Sequence, residues 1–80
     1  GESALVSASP LGEIEACLRV WSIKEGAAKI LNLPLPHAWK AACVHGIGRD
    51  SSRLTLEGKA ALAFHETVEG HLFTLVQAMT

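Results

Sequence analysis

The sequence predicts an α+β domain: one long helix packed on a small antiparallel sheet. Three observations carry this. Apolar residues from Leu11 to Ala28 recur at helical spacing. From Lys40 onward the pattern changes to that of extended segments, clearest in the alternation of Arg53-Leu54-Thr55-Leu56-Glu57. Turn residues then cut the second half into strand-length pieces, at Gly48-Arg49-Asp50-Ser51-Ser52, Gly58-Lys59 and Glu69-Gly70.

Residues 1–8, with the apolar run Ala4-Leu5-Val6, read as a lead-in, either a brief strand or a frayed end. Residues 9–80 read as a single α+β domain. Ser9 can cap the free N–H groups of a helix, and Pro10 suits its first position. Glu13 and Glu15 then fall near the positive end of the helix dipole. The helix should run to about Leu31-Asn32, where Leu33-Pro34-Leu35-Pro36 stops it. Gly26 weakens it by up to about 1 kcal/mol relative to alanine. A glycine there allows close approach of another backbone or a ligand, and packing explains it equally well. His37-Ala38-Trp39 reads as a short turn. Strands are expected over Ala41–Ile47, Arg53–Glu57, Ala60–Val68 and His71–Gln77, with Glu69-Gly70 as a hairpin turn.

The helical series Leu11, Ile14, Leu18, Trp21, Glu25, Ala28 defines the face expected to be buried. Trp21 and Leu18 would then meet a sheet core of Leu54, Leu56, Leu62, Phe64, Leu72 and Leu75. Trp39, Phe64 and Phe73 read as core or lobe-interface residues. Glu25 stands where an apolar residue belongs. A carboxylate turned toward a low-dielectric interior costs several kcal/mol unless it is paired, here with a lysine or a metal ion. Lys29 lies one turn further on. The plain alternative is an exposed Glu25–Lys29 surface pair, worth a few tenths of a kcal/mol.

The totals exclude several classes. Eighty residues make one domain at most. A net charge of -1 with no basic block argues against a nucleic-acid binder. No apolar run is long enough to span a membrane. Gly1-Glu2-Ser3 lacks the features of a signal peptide, and no initiator methionine precedes it, as in a fragment or processed chain. Two cysteines, Cys17 and Cys43, are too few for a disulfide framework, so reduced thiols and a cytoplasmic location are expected. A hydrophobic content of 49% and a mean hydropathy of +0.26 favour a piece of a larger assembly or a homo-oligomer. Among the histidines His37, His45, His65 and His71, only Cys43-x-His45 offers a close ligand pair, and ordinary strand residues explain it better than zinc does.

Trp21-Ser22-x-Lys24-Glu25-x-x-x-Lys29 resembles the W-[ST]-x-K-E-[AS]-x-x-K signature of the 4'-phosphopantetheinyl transferases. Gly26 departs from it, where the family has Ala or Ser. The likeness extends over roughly residues 9–77, as the C-terminal lobe of the two-lobed type, and only the nine-residue motif is specific. It implies transfer of 4'-phosphopantetheine from coenzyme A to a serine of an acyl or peptidyl carrier protein, with Mg2+. Glu25 would be a metal ligand and general base. Lys29 would contact the coenzyme A phosphates. Lys24 would lie near the pyrophosphate or the carrier serine, as a catalytic and cofactor-binding residue. The family's other acidic ligands, in a G-[IV]-D-x-E strand motif, have no counterpart in residues 1–20. A second lobe or chain would have to supply them. The alternative is a non-catalytic structural or dimerisation module on the same half-fold, within a multidomain synthase.

Overall fold

The long helix forms, but the chain enters it later than Ser9-Pro10 suggests. In the computed structural model, which describes residues 2–79, α1 (Glu2–Ala8) precedes it, so the expected lead-in is helical. Ser9 Oγ accepts the Leu11 N–H at 3.2 Å, which closes a turn rather than capping the long helix. Gly12, at φ 91°, redirects the chain into α2 (Glu13–Leu31). Asn32 ends α2 in the left-handed conformation (φ 54°, ψ 47°), where a short polar side chain is tolerated, and its N–H reaches the Ala28 carbonyl. The segment read as a turn is a third helix, α3 (Leu35–Ala41), with Pro36 in its first turn.

Four strands follow, β1 (Ala42–Ile47), β2 (Ser51–Leu56), β3 (Lys59–Val68) and β4 (His71–Ala78). They form an antiparallel meander in the order β1-β2-β3-β4. Glu57-Gly58 and Glu69-Gly70 make the two tight hairpin turns, with φ of 50° and 83° in the first and 52° and 80° in the second. Two successive positive φ values match the right-handed twist of the flanking strands. β1 carries a bulge between Val44 and Gly46. The architecture is therefore α+β, with α2 lying across the sheet against β4 and β1.

The faces of the elements differ from the expectation. The helix buries Ala16, Val20, Ile23 and Ala27, while Ile14 (79% exposed), Leu18 (50%) and Trp21 (47%) point outward. Glu25 is exposed as well, so it carries no burial penalty. In the sheet, Leu54, Leu56, Ala61, Ala63 and Val76 face the helix. Leu62 and Leu72 are half-buried, and Phe64, Phe73 and Leu75 are exposed. Size explains both reversals. A Cβ at Gly26 would stand 2.8 Å from Val76 Cγ2, so helix and β4 approach closely. That gap fits alanines on β3 and on the helix, not tryptophan or phenylalanine.

Gly26→Ala gains helix propensity of about 1 kcal/mol but drives a methyl into stiff, buried Val76, an overpacking cost of about 1–3 kcal/mol. Urea unfolding should show a net loss of about 1 kcal/mol. A variant as stable as the parent would contradict the close approach.

Candidate functional site

Neighbouring residues on a helix point about 100° apart. That rotation divides the sequence motif. Lys24 turns inward and is 1% exposed, whereas Glu25 and Lys29 turn outward. Among the described residues, Glu25 and Lys29 take part in no ion pair, so the structure does not form the simple surface pair either.

Lys24 uses all three of its N–H donors within the chain. Nζ donates to the Trp39 carbonyl at 2.7 Å, to the Ala42 carbonyl, and to Glu2 Oε2 at 2.9 Å. It also lies 5.2 Å from the centre of the Trp39 ring, within cation–π range. Trp39 in turn packs against Trp21, with ring centroids 5.5 Å apart and planes tilted by 59°. Lys24 is thus a fixed tie between α2, α3, β1 and α1, with no donor left for a ligand while α1 stays in place. Its ammonium is engaged within the chain rather than turned to the cleft beside Glu25.

Glu25 borders an open cleft of about 300 Å³ between α2 and the β3–β4 turn, with Ser22, Glu15, Thr67 and His71 around it. Leu18 and Trp21 form its apolar wall. The series Ile14, Leu18, Trp21, Glu25 exists as the sequence pattern implies, yet it stays exposed, outside the core between α2 and the sheet, and its Leu18–Glu25 part borders the β3–β4 turn. Mg2+ would need several oxygen ligands from the protein and substrate. Among the described residues, no group of three or more His, Cys, Asp or Glu is arranged to hold a metal ion. The residues present therefore do not make up the magnesium site that the motif implies. On β1, His45 Nε2 meets Thr55 Oγ1 at 3.1 Å, and the Cys17 and Cys43 thiols are free and exposed.

A second polar cluster was not visible in the sequence. His65, Ser52 and Thr74 face the helix side of adjacent strands. His65 Nε2 lies 2.7 Å from Ser52 Oγ, and Nδ1 lies 2.8 Å from Thr74 Oγ1. Ser52 Oγ also accepts the Gly48 N–H at 3.3 Å. Buried Arg19 stands nearby, donating through Nε to the Arg49 carbonyl at 3.2 Å and through a guanidinium nitrogen to Glu15 Oε2 at 2.8 Å. Burial, helped by the Arg19 charge and opposed by Asp50, lowers the His65 pKa from 6.5 to about 4. The imidazole is therefore neutral at pH 7 and bridges two hydroxyls. The strand pairing places these three residues together, and only their shared face on alternating strands could have signalled it.

A histidine with a lowered folded-state pKa stabilises the fold fully above its unfolded pKa of 6.5, and loses that stability as pH falls toward about 4. The shift sets an upper scale of about 3 kcal/mol. Replacing His65 by Gln should therefore flatten the stability profile between those pH values, measured by urea unfolding at each pH. Parallel profiles for the two chains would contradict this assignment.

No family model matches this chain, and neither a curated protein nor a solved structure matches it.

Proposed function

We propose that the chain is one lobe of a 4'-phosphopantetheinyl transferase-like enzyme, completed by a second lobe or chain. The observation that carries this reading is the outward stripe Ile14, Leu18 and Trp21, which leads to Glu25 at an open cleft. Apolar side chains on the solvent face of a helix already packed through its other face fit contact with another body. Such a body would cover the cleft and bring the carboxylates that Glu25 lacks. The resemblance of the Trp21–Lys29 motif supplies the chemistry, while Lys24 serves as a positioning residue.

In the proposed reaction the carrier serine oxygen attacks the β-phosphorus of coenzyme A. A new P–O(Ser) bond forms, the pyrophosphate P–O bond breaks, and 3',5'-ADP leaves. Glu25 is the chain's own candidate to accept the serine proton, directly or through water. Lys29, exposed in the last turn of α2, suits contact with the phosphates as a mobile point charge. The proposal keeps the chain in the cytoplasm, where thiols such as Cys17 and Cys43 stay reduced. A second reading is a structural or dimerisation module on the same half-fold. It is favoured by the short supply of carboxylates at the cleft, where the only one beside Glu25 among the described residues is Glu15, already paired with Arg19.

The test is a carrier-modification assay on the chain together with the lobe or partner chain that completes it, with coenzyme A, Mg2+ and an apo carrier protein, alongside calorimetric titration of coenzyme A. Metal-dependent mass gain on the carrier is expected, abolished by Glu25→Gln, with Lys29→Ala weakening coenzyme A binding by about tenfold, the scale of one lost charged contact. Undiminished transfer in Glu25→Gln would sink the assignment. Absence of both transfer and coenzyme A binding would favour the structural module.

A further inference from the structure

We infer that α1 is a removable plug over an oxyanion site formed by the Lys24 ammonium and the Val44 backbone N–H. The site suits the phosphate or carboxylate of a small anionic molecule lying along the edge of β1. Glu2 Oε2 fills it from within the chain, accepting from Lys24 Nζ at 2.9 Å and from the Val44 N–H at 2.8 Å. One oxygen held by an ammonium and a backbone amide is the arrangement that favours a ligand oxyanion. The ammonium is aimed in advance, because the Trp39 and Ala42 carbonyls take its other two N–H groups. β1 is an edge strand, so no neighbouring strand competes for the outward Val44 amide.

The plug is weakly held apart from this carboxylate. α1 has seven residues and buries none of them, and only Leu5 packs partly against the core. A helix of that length is not stable alone in water. Beside it lies a cleft of about 780 Å³ bordered by Trp39, Lys40, Cys43 and His45. Lifting α1 would leave a buried cation and an amide without partners, which an incoming anion would satisfy. This inference rests on Glu2, Lys24 and Val44 alone and stands with or without the proposed transferase activity.

The experiment is a titration of inorganic phosphate followed by amide NMR, on the parent chain, Glu2→Ala and the double variant Glu2→Ala/Lys24→Met. In Glu2→Ala the Val44 amide should shift with an apparent Kd at least tenfold lower than in the parent, about 1.4 kcal/mol. The double variant should lose that response. Equal affinity in the parent and Glu2→Ala, a phosphate response that bypasses Val44, or a response that survives Lys24→Met would each overturn the inference. If the double variant fails to fold, the Lys24 ammonium resonance in Glu2→Ala gives the reading instead. It should move with phosphate and not with chloride at equal ionic strength, and an unmoved ammonium overturns the site.

Discussion

A single buried ammonium ties four elements of this fold together. Lys24 leaves α2 on its inner side and ends among the Trp39 carbonyl at the end of α3, the Ala42 carbonyl at the start of β1, and the Glu2 carboxylate on α1. A charge removed from water is costly unless every donor is satisfied, and here each is. The geometry therefore constrains where α3 ends and where the sheet begins. The connection from the helical to the extended half of the chain passes directly beneath this group. The Trp39 ring closes the same region from the side and carries the constraint onward to Trp21 on the outer face of α2.

A second constraint is the thin layer between α2 and the sheet. Gly26 and Val76 set the separation, and alanines (Ala27 on the helix, Ala61 and Ala63 on β3) fill the layer together with the aliphatic side chains of Ile23, Leu54, Leu56 and Val76, with no aromatic ring among them. Space then decides which side large apolar groups take. Phe64, Phe73 and Leu75 stand on the far face of the sheet, and Ile14, Leu18 and Trp21 stay exposed on the helix, outside that layer. The high hydrophobic content of the chain is spent partly on its outside, which is why the proposed function places a second body against α2.

The legibility of the sequence follows the same physics. Local backbone chemistry was readable: the end of α2 near Asn32, the Glu69-Gly70 turn and the four strand segments all depend on neighbours in sequence. Phase was not. Alternation tells that Leu62 and Phe64 share a face, but not that Ala61 and Ala63 are the ones turned inward, because apolar residues occupy both faces of β3. The same ambiguity let Ile14, Leu18 and Trp21 pass for the inner stripe, when Ala16, Val20, Ile23 and Ala27 fill that role with less volume. For the site, the motif singled out Lys24, Glu25 and Lys29 but could not say that the first turns away from the other two. Glu2, the ion-pair partner of Lys24, lay in a segment with no pattern strong enough to place it. Ser52, His65 and Thr74 become neighbours only through strand register.

The central claim is that Lys24 is a structural tie and Glu25 a free surface group, although they are adjacent. The most direct test is to compare the urea stability of Lys24→Ala and Glu25→Gln. Removing Lys24 strands the Glu2 carboxylate and two carbonyls and empties a packed position, so a loss of about 3 kcal/mol or more is predicted. Glu25→Gln touches no packed partner and should change stability by less than about 0.5 kcal/mol. A small loss for Lys24→Ala, or a large one for Glu25→Gln, would contradict the account.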